Sequence, residues 1–250
     1  MTKGCLDRLD AHIWQNTDFT DEEKTRSHLS ANPLSSDNCL FYTRAVIALL
    51  MSAAFTYETL QYKFPVEYKF FTFWGFALTE AYFVAVMAAY ARNAYRKHKG
   101  LEAPSRMWKV VSSLFHFAVT FEVVITLIYW TLLWPYEKVN SPLAHIFYST
   151  CLVHLLPLTY LSIDFCFNSI HIEWNFVWPL IVTLFLYGQV NIIVTASTKT
   201  PVYPGLDWNC WLSWTVGLAC LPFGFAAFWC LHRLSDWKYR KLGITGQQAN

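Results

Sequence analysis

Apolar residues in this chain fall into long runs rather than the spaced stripes of a water-soluble core. Six runs stand out, at about residues 40–60, 69–91, 110–134, 142–166, 174–196 and 209–232, with short polar stretches between them. Each is about 20 residues or longer, enough for a helix rising about 1.5 Å per residue to cross a hydrocarbon core about 30 Å thick. The pattern predicts an all-α fold, a polytopic membrane bundle of about six transmembrane helices. Residues 1–39 read as a polar segment on the cytosolic side, 40–232 as the transmembrane domain and 233–250 as a basic tail. The segments between the runs are too short to hold a soluble domain of normal size.

Composition agrees with that division. Hydrophobic residues make up 55% of the 250 and charged residues only 14%, a balance suited to lipid rather than water. The net charge of +2 gives no reason to expect a nucleic-acid partner. Its distribution matters more. Arg92, Arg96, Lys97, Lys99, Arg106 and Lys109 lie between the second and third runs, and Arg233, Lys238, Arg240 and Lys241 follow the sixth. The other set of loops holds only Lys63, Lys69, Lys138 and Lys199. The positive-inside rule then puts both termini on the cytosolic face or its equivalent, as an even number of spans requires. Tyr62, Tyr68, Trp108, Trp134, Tyr136, Trp174, Trp208, Trp211 and Trp237 sit at run ends, where amphipathic rings favour the headgroup level. The seven cysteines show no CxxC pair and no metal-ligand spacing, and Cys151, Cys166, Cys220 and Cys230 read as small packing residues within spans.

Polar residues inside the runs are the candidates for chemistry. The fourth run carries His154 mid-span, then Pro157 and Asp164. An imidazole deep in hydrocarbon costs free energy, so its default reading is functional, against the plainer one of a histidine satisfied by a neighbouring helix. Pro157 cannot donate to the Val153 carbonyl, which predicts a kink beside His154 and marks this as the central helix. Asp164 is about 15 Å further along the axis, out of reach of the imidazole, and reads as an anchor at the cytosolic end. Arg44 and Glu58 lie near the ends of the first run and read as snorkelling to the interface. Glu80 reads as facing the interior. His116 and Glu122 are six residues apart and point to different sides of the third helix. Thr72, taken alone, reads as a threonine bonded back to a carbonyl of its own helix.

Three pieces in order give these residues more meaning. Lys69-Phe70-Phe71-Thr72-Phe73 opens the second run, His154 precedes Asp164 by ten residues, and Val202-Tyr203-Pro204-Gly205-Leu206-Asp207 follows the fifth run. This pattern resembles the androgen-induced transmembrane protein family, which includes the androgen-dependent TFPI-regulating protein and is related to Rolling-stone-like proteins. The resemblance covers about residues 40–235. It implies an intramembrane hydrolase of fatty acid esters of hydroxy fatty acids, with Thr72 at the nucleophile position and His154 at that of the catalytic histidine. It implies no cofactor and no metal. A second histidine of the family, three residues before the catalytic one, is Cys151 here.

The residue types suit the chemistry. A threonine hydroxyl becomes a nucleophile when a base takes its proton, and a neutral imidazole can do so near neutral pH. On ideal straight helices, though, Thr72 lies about 5 Å from the outer edge and His154 about 18 Å. Either the fourth helix starts later, after an irregular stretch, or the second extends outward; His145 matches Thr72 in depth and is the rival base. The implied partners are membrane lipids and a lipid ester substrate. Two other readings stay open. One is a non-catalytic structural or accessory subunit of a membrane protein complex that keeps the same fold. The other is a haem or quinone protein using His116, His145 and His154.

Overall fold

A computed structural model of the chain describes residues 31–61, 69–101, 107–135, 139, 152–203 and 206–242. Among the described residues six α-helices follow one another: α1 (Asp37–Gln61), α2 (Phe71–His98), α3 (Met107–Ile128), α4 (Leu156–Phe167), α5 (Val177–Thr198) and α6 (Trp211–Leu242). A π-helical turn, Tyr129–Leu133, continues α3, and a 3-10 turn, Trp174–Phe176, leads into α5. Among the described residues there is no strand, only an isolated bridge between Ala31 and Asn168. Five of the helices are long and apolar enough to cross a bilayer. The chain is thus an all-α, multi-pass integral membrane protein.

The fourth span differs from the expectation. Its helix has 12 residues, starting at Leu156. Residues 142–151, and with them His145 and Cys151, lie outside the described residues, as do the N-terminal segment to residue 30 and the tail from residue 243. Pro157 stands in the first turn of α4, where its missing N–H has no intrahelical partner to lose. The chain passes from π-helical residues Leu152–Val153 through a turn into α4 just ahead of it. The centre of the bundle is α3, not the fourth span. Two-thirds of the most apolar stretch of α3 is buried, against about a quarter for α1, α5 and α6, and α3 packs on α2, α4 and α6. The sixth helix continues through the start of the expected tail, to Leu242.

Lipid tails give little hydrophobic drive between helices, so close packing and polar contacts must hold them. Gly75 lets α2 lie against α3, because a side chain there would run into Ile125 and Glu122. Gly224 does the same for α6 against Leu184 of α5. Cys166 and Cys230, expected as packing residues, are exposed on the outside of the helices instead.

The strongest polar contact joins α1 to α4. Arg44, expected at an interface, is fully buried and donates from Nε to Asp164 Oδ1 at 2.6 Å. Its other nitrogens reach Asp164 Oδ2 at 3.3 Å, the Tyr90 hydroxyl at 3.1 Å and the Tyr82 hydroxyl at 3.4 Å. The Tyr82 hydroxyl and Asn168 Nδ2 both donate to Asp164 Oδ2. Glu58, also expected at an interface, is buried too. The carbonyls that end α4 are taken up from outside the helix. Lys238 of α6 donates to the Phe165 carbonyl at 2.8 Å, and Asn32 donates to the carbonyls of Cys166 and Phe167. A cation at a helix C-terminus also suits its partial negative charge.

Removing one partner of a buried ion pair strands the other. Asp164→Asn and Arg44→Met are each expected to cost about 3–5 kcal/mol, read as a lower thermal midpoint in detergent. The apolar pair R44M/D164L regains part of that loss. Single variants that melt with the parent would contradict the assignment.

Candidate active site

The bundle has two ends. Arg44, Asp164, Tyr90 and Lys238 gather at one; the start of α2, the far end of α3 and the loop after α5 gather at the other. Thr72 is at this second end, half-buried in the first turn of α2. The residue before the helix, Phe70, offers no side-chain cap, and the first N–H groups of any helix lack partners within it. Tyr203 supplies one from across the bundle. Its hydroxyl oxygen accepts the Phe71 N–H at 2.8 Å and also meets the hydroxyl and backbone of Thr72. Tyr187 of α5 donates to the Lys69 carbonyl at 2.9 Å and stands 3.5 Å from the Tyr203 oxygen. Burial pushes the Tyr203 phenol above its ordinary range, while bonds from Tyr187, the Phe71 amide and Thr72 pull it down without cancelling that rise. It stays a neutral hydroxyl.

His154 precedes α4 in a short irregular stretch. Leu152 and Val153, the two residues just before His154, are π-helical. The imidazole is buried and stacks on Tyr129, with ring centroids 3.7 Å apart and planes at 14°. Its backbone carbonyl accepts from Thr126 Oγ1 at 2.9 Å. Its Nδ1 is buried without a hydrogen-bond partner. Tyr129 opens the π-helical turn, a feature often found at functional sites.

Glu122, Thr126 and Tyr129 follow the spacing that places residues on one helix face. Glu122 lies against Gly75, one turn below Thr72, and its Oε2 is buried without a partner. Phe71 packs its ring on Phe121. Phe71 and Gly75 of α2 meet α3 at residues 121–125, and His154 meets it at Thr126 and, on its continuation, at Tyr129. Among the described residues no hydrogen bond joins Thr72 to His154; the Thr72 hydroxyl faces Tyr203. An open, shallow apolar depression lies on the outer face of α4, lined by Leu155, Leu158, Thr159, Ser162 and Ile163; His154 is not part of its lining.

The other polar candidates have structural partners. Asp164 belongs to the Arg44 network. His116 bonds the Ser112 carbonyl through Nδ1 at 2.6 Å, so its Nε2 is the lone pair that accepts the Glu173 N–H at 2.8 Å. Glu80 accepts from Ser52 of α1, which supplies the partner its position called for.

Comparison of the chain with models of known protein families, with curated proteins and with solved structures gives no match. The residues that sequence reasoning passed over here are Tyr203, Tyr187 and Tyr129. Tyr203 lay within the Val202–Asp207 motif, so a signal existed for it. Tyr129 had none beyond its place in an aromatic-rich span.

Tyr203→Phe leaves the Phe71 N–H unpaired in a buried setting. The expected cost is about 1–3 kcal/mol, checked by thermal unfolding in detergent.

Proposed function

We propose that this protein is an intramembrane lipid-ester hydrolase resembling the androgen-induced transmembrane proteins, with Thr72 as nucleophile and His154 as base. The observation that supports the reading is a buried imidazole whose Nδ1 has no hydrogen-bond partner, at the end of the bundle where Thr72 opens a helix. Substrate displaces the Thr72 hydroxyl from Tyr203 towards His154; catalytic hydrogen bonds are often long or absent before substrate binds. Thr72 Oγ1 attacks the ester carbonyl and its proton passes to Nδ1. The C–O bond breaks, the alcohol leaves with the proton from His154, and an acyl-threonine remains. Water then gives its proton to His154 and attacks the acyl carbon, which releases the acid and restores Thr72. The substrate class follows from the resemblance, which implies fatty acid esters of hydroxy fatty acids.

The basic last turns of α2 (Arg96, Lys97) and α6 (Arg240, Lys241) support an orientation with both termini cytosolic. The ester site then lies towards the opposite leaflet.

A second reading is favoured by one observation. The Thr72 hydroxyl is engaged by Tyr203, which suits a capping role in a non-catalytic subunit of a membrane complex. Hydrolysis of a fatty acid ester of a hydroxy fatty acid by the purified protein separates the two. Thr72→Ala is expected to abolish turnover, and His154→Ala to lower it by about 10²–10⁴-fold. Absence of turnover by the parent, together with purification in a stable stoichiometric complex, would establish the accessory role instead.

A further inference from the structure

At the end of the bundle away from Thr72, the stretch between α4 and α5 meets α6. Three metal-binding side chains converge there. His171 comes from the connecting stretch, and His232 and Asp236 lie one turn apart on α6. Their donor atoms lie within 4.8 Å of one another. His171 Nε2 is 2.8 Å from Asp236 Oδ1, and His232 Nε2 is 3.7 Å from Asp236 Oδ2.

Direct hydrogen bonding alone accounts poorly for this arrangement. His232 Nδ1 lies 2.7 Å from the Ile172 carbonyl, which can only accept, so that nitrogen carries a proton. In the neutral ring Nε2 is then a lone pair, and it faces a carboxylate oxygen across a gap too wide for a hydrogen bond. A metal ion between these two acceptors satisfies both, as a proton on Nε2 or a bridging water also would. On the other side, His171 Nδ1 is buried with no partner.

The geometry points to a site for a divalent transition-metal ion of the zinc class, held by His171, His232 and Asp236. Ligands about 2.0–2.1 Å from a tetrahedral ion stand about 3.3 Å apart; the separations here run from 2.8 to at most 4.8 Å, so an ion enters with side-chain shifts of up to about 1.5 Å. Two imidazoles and one carboxylate are a donor set that zinc takes, with a fourth position left for water or a substrate atom. The bond from His232 Nδ1 to a carbonyl is the outer-shell contact that orients metal-bound histidines. The connecting stretch is fixed independently of any ion, because Ser235 Oγ accepts the Ile172 N–H at 3.0 Å and the Tyr239 hydroxyl donates to the Ser169 carbonyl. The ring of Tyr239 stands 5.0 Å from His171, and that of Trp174 lies 5.4 Å from His232. All three ligands keep partial exposure, so an ion has an entry path. Sequence spacing hid the set because Asp236 is 65 residues beyond His171.

The test uses the full-length protein in detergent, stripped with a chelator and titrated with Co²⁺. One equivalent is expected to produce visible ligand-field absorption that one equivalent of Zn²⁺ displaces. Asp236→Asn keeps an amide oxygen for the His171 N–H but loses the anionic ligand, and is expected to weaken Co²⁺ binding by at least about tenfold. Its thermal midpoint, compared with that of the stripped parent, shows whether it is folded. A parent that gains no absorption with Co²⁺ would overturn the proposal, and so would a folded Asp236→Asn variant that binds with unchanged affinity.

Discussion

The bundle depends on one buried ion pair, Arg44 with Asp164. Charges out of water are costly, and in a membrane they persist when each has several partners. Asp164 meets that condition with the Arg44 guanidinium, the Tyr82 hydroxyl and the Asn168 amide. The contact sets the register of three helices at once, because Arg44 is on α1, Tyr82 on α2 and Asp164 on α4. Asn168 also accepts from Lys238 of α6 and from the Ile170 N–H. The network thereby fixes the chain's exit from α4 and its entry towards α5. Once the Asp164 end of α4 is fixed, its 12-residue length determines where the other end, with His154 ahead of it, meets α3.

The two ends of the molecule use polar groups differently. At the Arg44 end nearly every polar group is paired, and the convergence of His171, His232 and Asp236 is the exception. At the Thr72 end the pairing is incomplete. His154 Nδ1 and Glu122 Oε2 are buried without partners, and the first amides of α2 are capped by a phenol from a distant loop. A buried polar group left unsatisfied costs about 1–3 kcal/mol, so several in one region set it apart from a merely structural interior. The hydrolase reading assigns a task to the imidazole, while the amides are already capped by Tyr203. It leaves Glu122 without one.

Much of the architecture was legible in the runs of apolar residues, since hydrocarbon forces backbone groups into helices and fixes their length. The positions where reading failed share a cause. Arg44 sits close enough to the end of its run that snorkelling was the cheaper expectation, and only the three-dimensional meeting with Asp164 shows otherwise. Pro157 read as a mid-span kink, and a π-helical stretch and a turn stand between the upstream run and α4. Glu80 was read correctly as inward-facing, but its partner Ser52 is too common a residue type to single out. The candidate pair was legible only through the resemblance. Its surroundings were not, because Tyr203 and Tyr129 reach it from sequence-distant elements. The histidine and aspartate cluster was illegible for the same reason.

The account's central claim is that Thr72 carries the acyl group during turnover. Peptide mass spectrometry after incubation of the membrane-embedded protein with a fluorophosphonate reads this directly. The account predicts a phosphonyl adduct on Thr72, formed in the parent and lost when His154 is replaced. An adduct on a different residue, or none on a protein that still hydrolyses ester, would contradict it.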